Sequence, residues 1–303
     1  RRQRQMCIRD RAGTVTLDSD ALAALDLHKD IAVSLTGASV NAAQQRALGT
    51  QASSAVLANA SVLVDGAAAS YPAGSVRPGI PVRAADDLTA WSLAENGTIS
   101  AVGGAWDADR QTYTFDVVSG VTAIARFPFT DVPAGSWYYG AAAYAYNNGL
   151  FAGTTATTFE PTGSVTRAQF VTFLAGLAGV NVSAYQYGPF SDVPADAWYA
   201  PYVNWAAANR IVSGTSATTF DPNATISRQD MAVMLYNYAQ RYDVTLNEQT
   251  VTPFTDESAI ADYALPAVQA LHSAGVISGM PDGSFQPYAT ATREQACTVL
   301  CML

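Results

Sequence analysis

Three arginines, Arg167, Arg228 and Arg293, each follow a hydroxyl residue, in the pairs Thr166-Arg167, Ser227-Arg228 and Thr292-Arg293. They lie 61 and 65 positions apart, and only five arginines in all fall between Phe129 and Leu303. Counting from each arginine, positions +3, +6, +7 and +10 hold Phe170, Phe173, Leu174 and Leu177, then Met231, Met234, Leu235 and Tyr238, then Ala296, Val299, Leu300 and Leu303. That spacing predicts one amphipathic helix behind each arginine. The hydroxyl residue is its N-cap; Gln169 and Gln295 complete capping boxes, and Asp230 gives a weaker version. A cation at the first helical position faces the partial positive charge of the helix's own N-terminus, so each arginine asks for an anion. Two readings supply one. Either an acid of the same or a neighbouring repeat closes an internal salt bridge, or a ligand carboxylate or phosphate binds there with help from the free backbone N–H groups.

The elements that would position these arginines recur with them. Each copy opens on an aromatic, a polar residue and an acid: Phe129-Thr130-Asp131, Phe190-Ser191-Asp192 and Phe254-Thr255-Asp256. An Ala- and aromatic-rich helical stretch follows, carrying Trp137 and Tyr144, then Trp198 and Trp205, then Tyr263 and Leu271. A glycine comes next, at Gly153, Gly214 and Gly279, and then a Phe-x-Pro at Phe159 to Pro161, Phe220 to Pro222 and Phe285 to Pro287. These are three copies of one unit. Copy two places Arg210 where Gly149 and Gly275 would end the first helix, so the same glycine turn there is predicted to be strained. A unit of about 60 residues buries too little surface to be stable alone. The three are therefore expected to fold together, with the stripes of the arginine-led helices facing one another.

The pattern Phe-x-Asp-Val, Trp-Tyr, Gly, Phe-x-Pro, Thr-Arg-Ala-Gln closely resembles the S-layer homology (SLH) repeat of bacterial surface proteins, whose usual complement is three consecutive copies. The resemblance spans about 175 residues, from Phe129 to Leu303. It implies a pseudo-threefold assembly around a central three-helix bundle, with grooves between the lobes that bind a secondary cell-wall polysaccharide, commonly one carrying pyruvate ketals. By position, the resemblance implies that Arg167, Arg228 and Arg293 clamp the ligand carboxylate. Asp131, Asp192 and Asp256 would hold the arginine or accept sugar hydroxyls, and Gly153, Gly214 and Gly279 would let backbone approach the sugar. Trp137 and Trp198 would offer an apolar face to a pyranose ring. At the position two residues after the arginine, where the family usually has an acid, the chain has Gln169, Asp230 and Gln295, so copies one and three depart from the pattern there, and copy three departs again at Tyr263, near the expected Trp. Copy three is thus expected to bind differently or only to hold the trimer closed.

Residues 1–11 differ in texture from the rest: they hold five of the sixteen Lys and Arg, and Met6-Cys7-Ile8-Arg9-Asp10-Arg11 resembles translated library-adapter sequence joined to a truncated chain. They are set outside the fold. Without their five arginines and one acid, 11 cations face 24 acids, a net charge of −13. Such a field does not favour nucleic acid or anionic lipid. It also repels a polyanionic wall polymer, so attraction must come from focused arginine sites. Cys297 and Cys301, an i, i+4 pair on the last helix, read as small buried side chains, and His28 and His272 stand apart from any metal-ligand cluster. No apolar run reaches eighteen residues, so no membrane insertion is expected. From Ala12 to Arg126 short β-type runs appear: Thr14 to Leu17, Ile31 to Leu35, Ser61 to Val64, Leu88 to Leu93, Ile99 to Val102, Tyr113 to Val118 and Val121 to Ala125. Turn signals at Asp65-Gly66, Asn96-Gly97 and Asp107-Ala108-Asp109 separate them, as in a two-sheet sandwich; Asn41 to Ala58 fits a helix or a long loop equally.

The expected architecture is therefore multi-domain: an all-β, sandwich-like spacer over 12–126, then a mainly α pseudo-threefold trimer of repeats over 127–187, 188–250 and 251–303. Catalysis is not expected. The acids Asp131, Asp192 and Asp256 could suggest paired carboxylates, but each has a fixed place after a Phe, which suits a turn or cap. Gly153 and Gly214 open Gly-Thr loops without the P-loop lysine. The expected function is non-covalent anchoring of a secreted protein to the bacterial cell wall through an acidic, pyruvylated polysaccharide, with no cofactor and no metal. The alternatives are a lattice-forming S-layer subunit that self-associates in a surface layer, or the anchor of a surface hydrolase whose catalytic domain lies upstream.

Overall fold

A computed structural model describes residues 6–9, 14–17, 24, 31–65, 67–69, 76–82, 88–102, 104–107, 111–118, 120–247 and 249–303. His28, Gly66 and the Ala108-Asp109 turn lie outside the described residues. The chain divides into two compact units, 1–159 and 160–303. The first therefore runs past the end of the expected β module and includes the opening half of the first repeat.

The first unit holds eleven strands among its described residues: β1 (Met6–Arg9), β2 (Thr14–Leu17), β3 (Ile31–Gly37), β4 (Val56–Val64), β5 (Ala67–Ala68), β6 (Val76–Pro81), β7 (Leu88–Leu93), β8 (Ile99–Val102), β9 (Gly104–Asp107), β10 (Thr112–Phe115) and β11 (Val121–Arg126). One sheet has the order β1-β2-β6-β10-β9 and the other β3-β4-β11-β7-β8, with β5 paired to β4. The pairings are antiparallel. Val15, Leu17, Val76, Tyr113 and Phe115 of the first sheet share one core with Ala58, Ala60, Val62, Ala90, Val102 and Ile124 of the second. On β4, Ala58, Ala60 and Val62 are buried in alternation with exposed neighbours, the period of two expected of a strand with one face in a core. This is the sandwich the sequence predicts.

Three features were not expected. Met6–Arg9, set outside the fold on composition, pairs as an edge strand with Thr14–Leu17; edge pairing runs through backbone and accepts almost any side chains. Strand β6 is not among the expected runs; it contains Pro78-Gly79, residues that usually interrupt a strand, yet it lies between β2 and β10. The ambiguous Asn41 to Ala58 stretch resolves into helix α1 (Ala42–Leu48), a short 3-10 turn at Gly49–Gln51 and the start of β4. Asn41 caps α1, with Gln44 returning a bond to the Asn41 N–H.

The outer face of the second sheet is covered by α2 (Tyr139–Asn147), the first helix of repeat one. Trp91 of β7 is fully buried there and donates from Nε1 to the Tyr139 hydroxyl at 3.1 Å. Phe127 meets Trp91, Phe129, Tyr139 and Tyr146 edge-on. Buried Asn147 donates to the Ala47 carbonyl and accepts from the Gln51 amide, while its own carbonyl accepts from the Thr50 hydroxyl. Gln51 also brackets the Arg126 backbone, accepting from its N–H and donating to its carbonyl. The expected spacer is thus fastened to the first repeat by both apolar and polar contacts.

The second unit contains α3 (Arg167–Ala178), α4 (Ala200–Ala208), α5 (Arg228–Arg241), α6 (Leu265–Ser273) and α7 (Arg293–Cys301). Helices α3, α5 and α7 are the arginine-led helices, and α3 packs against both of the others at the centre. Helix α4 rests on α3, and α6 on α5. The stripes are buried over Phe170, Phe173 and Leu174, over Met231, Met234, Leu235 and Tyr238, and over Ala296, Val299 and Leu300, while Leu177 and Leu303, at +10, are only half-buried. Ahead of these helices the three strands of chain close a ring of backbone bonds. The Val165 N–H donates to the Ala291 carbonyl, the Ala291 N–H to Ile226, and the Ile226 N–H back to Val165, at 3.1, 2.9 and 2.8 Å. Every member of that cycle bonds to the other two, so the ring closes only with all three present.

Candidate functional site

Thr166, Ser227 and Thr292 cap their helices as predicted, with full capping boxes at Thr166 and Thr292. The arginines that follow are buried, at 6%, 6% and 7% exposure. Arg167 donates from Nε to the Phe220 carbonyl at 2.8 Å and from Nη2 to Ser213 at 3.2 Å. Arg228 repeats this with Phe285 at 2.7 Å and Ser278 at 3.1 Å. Each guanidinium also lies over the phenyl ring whose carbonyl it binds, at 4.6 Å for Phe220 and 4.8 Å for Phe285. Burial lowers the pKa of both, and neighbouring acids pull it back up: Asp230, Asp221, Tyr263 and Asp192 for Arg167, but Asp256 alone for Arg228. Arg293 occupies the same place at the head of α7, its N–H bonded to the Gly163 carbonyl as those of Arg167 and Arg228 are bonded to Ala224 and Ala289.

The acids serve a different group from the one expected. Asp192 accepts from the N–H of Phe220 at 2.8 Å and of Asp221 at 2.7 Å, and Asp256 from Phe285 at 2.7 Å and Gln286 at 2.8 Å. Asp131 likewise accepts from Phe159 at 2.8 Å. The middle residue of each Phe-x-Pro, Glu160, Asp221 and Gln286, has φ of 60°, 61° and 57°, a left-handed conformation costly for a side chain with Cβ. The carboxylate clamps that strained turn, and the turn in copies two and three aims its Phe carbonyl at the arginine of the preceding repeat. The expected direct hold of aspartate on arginine is thus corrected for Asp192 and Asp256: it runs through a backbone turn, because two N–H donors bind a carboxylate in place. Burial would raise the Asp192 pKa, but the N–H groups of Phe220 and Asp221, its own N–H and the charge of Arg167 hold it below the usual carboxylate value.

The glycines also have a local cause. A Cβ at Gly153 would run into the Thr155 carbonyl and the Phe129 ring, and one at Gly214 into the carbonyls of Ser216 and Thr219. At Gly279 the nearest atoms, on Phe254 and Ser284, are 3.0 Å away. The room that these glycines leave is filled by the repeat's own loop and opening phenylalanine, where an approaching sugar was expected. Arg210 does take the left-handed cap, with φ 60° beside 66° at Gly149 and 72° at Gly275, so copy two makes the glycine turn with a strained arginine.

What remains exposed is aromatic. Trp137 and Trp198 are 65% and 61% exposed, each braced edge-on by its buried neighbour, Tyr138 or Tyr199, at 5.4 Å. Copy three has Tyr263 at this position, 61% exposed, followed by Ala264. Lacking the bracing ring, Tyr263 is held by polar groups: its hydroxyl donates to Asp230 Oδ1 at 2.7 Å and accepts from Gln229 Nε2 at 3.2 Å. Buried Gln229 is fixed in turn by the Ala261 N–H. Asp230 also lies 3.9 Å from Arg167 Nη1. Sequence reasoning noted Tyr263 and Asp230 without joining them, and it missed Gln229. The signal was a coincidence of differences: copies one and three have Ala168 and Glu294 where copy two, which faces Tyr263, has Gln229.

Among the described residues no group of three or more His, Cys, Asp or Glu is placed to hold a metal, and no helix is long and apolar enough to cross a membrane. Cys297 is a free thiol, and burial pushes it up to about 12.

The sequence profile of the S-layer homology domain matches residues 128–171, 189–232 and 253–297. An endoglucanase of Bacillus sp. (strain KSM-635) is 37% identical over 180 residues, which cover 58% of this chain and 19% of that protein. The Surface-layer 125 kDa protein of Lysinibacillus sphaericus is 33% identical over 144 residues, 44% of this chain and 11% of that protein. The S-layer protein sap of Bacillus anthracis is 28% identical over 188 residues, 61% of this chain and 22% of that protein. The chain thus spans about a fifth or less of the length of these relatives.

Proposed function

We propose, from the premise that residues 128–297 of this chain are three S-layer homology domains, that it anchors a larger surface protein by binding an acidic, pyruvylated secondary polysaccharide. S-layer homology domains are cell-wall anchoring modules, and with S-layer proteins among its relatives the chain belongs at the cell surface or cell wall. The acid chemistry of the ligand is the finer part of the reading. The observation that carries it is that each repeat has a buried arginine at the head of a helix and an exposed aromatic at one fixed position. A ligand carboxylate would gain roughly 1.5–3 kcal/mol from each charge-assisted hydrogen bond. The flat faces of Trp137, Trp198 and Tyr263 suit the apolar face of a pyranose. Several such sites on one polymer add avidity without further contacts. Within this reading the chain itself is non-catalytic and needs no cofactor.

The relatives support two accounts of what is anchored. An endoglucanase and an amylopullulanase favour a surface hydrolase, and the S-layer proteins a subunit of a surface layer. The test is co-sedimentation of the whole chain with bacterial cell walls, intact or stripped of secondary polysaccharide. Binding to intact walls only is the expected result. Equal binding to stripped walls would remove the polysaccharide from the account.

A further inference from the structure

Resting on the polysaccharide reading above, we propose that the head of α5 carries a sugar site with two aromatic walls, Tyr263 and Tyr288, and that Tyr288 binds the apolar face of a pyranose of the wall polysaccharide. Copy three supplies both side chains. It is then a binding repeat in its own right and does more than hold the trimer closed.

Each arginine-led helix is met at its head by the loop of another repeat. At α5 the N–H groups of Arg228 and Gln229 donate to the carbonyls of Ala289 and Pro287, at 2.9 and 3.0 Å. Arg167 and Ala168 of α3 donate in the same way to Ala224 and Pro222, and Arg293 and Glu294 of α7 to Gly163 and Pro161. One residue is bracketed between the accepting carbonyls each time: Asn223 at α3, Tyr288 at α5 and Thr162 at α7. All three are exposed, but only at α5 is the bracketed residue aromatic. Tyr288 is 69% exposed, and its side chain makes no hydrogen bond among the described residues. Its size therefore serves no packing need of the repeat.

Buried Gln229 ties both tyrosines to one place. Its N–H donates to the carbonyl of Pro287, the residue before Tyr288, its Nε2 donates to the Tyr263 hydroxyl at 3.2 Å, and its Oε1 accepts from the Ala261 N–H. The other copies have Ala168 and Glu294 at this position, so the residue that holds the pair and the extra aromatic occur together at one helix head. Burial, the bond to Asp230 and the charges of Asp230 and Tyr288 push the Tyr263 hydroxyl up to about 12. The effect of Tyr288 on that hydroxyl puts the two phenols in one neighbourhood. Tyr263 is held by Gln229 and Asp230 at its hydroxyl while its ring stays exposed, so it presents a fixed apolar face. Aromatic surface held out in water marks a contact site, and covering it is favourable. S-layer homology domains bind a cell-wall polymer, whose sugar rings have an apolar C–H face to lay on an aromatic and hydroxyls at their edge to leave in water.

The test uses the whole chain with carbon-13 in its tyrosine rings, and as probe the polysaccharide released from bacterial cell walls. The signals of Tyr263 and Tyr288, identified by their loss in Tyr263→Phe and Tyr288→Asn, should shift together as the probe is added, and fragments of the stripped walls should leave both in place. Tyr288→Asn, which copies the residue of copy two, should keep the urea midpoint of the parent and weaken attachment to intact walls about fivefold. Tyr288→Phe keeps the aromatic face and should attach as the parent does; a loss equal to that of Tyr288→Asn would give the effect to the hydroxyl and overturn the stacking site. An unmoved Tyr288 signal with parental attachment of Tyr288→Asn, in a chain that still prefers intact walls to stripped ones, would overturn the site and leave the polysaccharide reading standing. Equal attachment of the parent to intact and stripped walls would overturn both.

Discussion

The inner ring and the rim of the repeat region are built on opposite rules. At the ring, each repeat supplies the same parts: a hydroxyl cap, a buried arginine, a left-handed residue inside Phe-x-Pro and an acid accepting from the turn. At the rim the copies diverge, with Trp137, Trp198 and Tyr263 at one position and Gln169, Asp230 and Gln295 at another. The difference teaches that the repeated residues are mainly the frame; on the proposed reading, contact with ligand extends to the exposed positions, where the copies differ.

Breaking the ring should cost most. Arg228→Ala removes two charge-assisted hydrogen bonds and leaves the carbonyls of Phe285 and Ser278 short of a donor. A loss of roughly 3–5 kcal/mol is expected in urea unfolding; a loss below about 1 kcal/mol would return Arg228 to the role of a pure ligand clamp. Next in size is a graded pair. Gly214→Ala drives a Cβ into two backbone carbonyls and should destabilise by about 1–3 kcal/mol. Gly279→Ala meets its nearest atoms at 3.0 Å and should cost clearly less in the same measurement. Equal costs would show that the copies do not pack their loops as described.

Relief of strain gives a smaller effect of opposite sign. Arg210 has φ 60° where the other copies have glycine, so Arg210→Gly should raise stability by up to about 1 kcal/mol, read as a higher urea midpoint. The smallest effect is acid sensitivity. Asp192 is held below its ordinary pKa of 3.8, so its contribution is present above that value and is lost as pH falls through the lower, folded value. Asp192→Asn should flatten the loss of stability below about pH 4; an unchanged acid limb of the pH profile would remove Asp192 from the frame's electrostatics.

Much of this frame was legible in the residues because it is periodic. The stripe from Phe170 to Leu174, its two echoes and the Thr166 and Thr292 capping boxes follow from local spacing. The partners of the arginines were not legible. They are backbone carbonyls of Phe220 and Phe285, more than fifty residues away, and a carbonyl has no identity in a sequence. The left-handed Asp221 and Gln286 were hidden for a related reason, since nothing but a clamp by Asp192 and Asp256 makes that conformation tolerable there. In the β unit, Leu88 to Leu93 and Ile99 to Val102 were read to the residue, whereas β6, with Pro78 and Gly79, is a strand that only its two neighbours explain.

The separation of frame from rim is tested most directly by one double variant, Trp137→Ala with Trp198→Ala, measured for both unfolding and attachment to intact cell walls. Both rings are largely exposed, so the account predicts a urea midpoint close to that of the parent chain and wall binding weakened at least tenfold. Parental wall binding in the folded variant, or binding lost only together with stability, would contradict it.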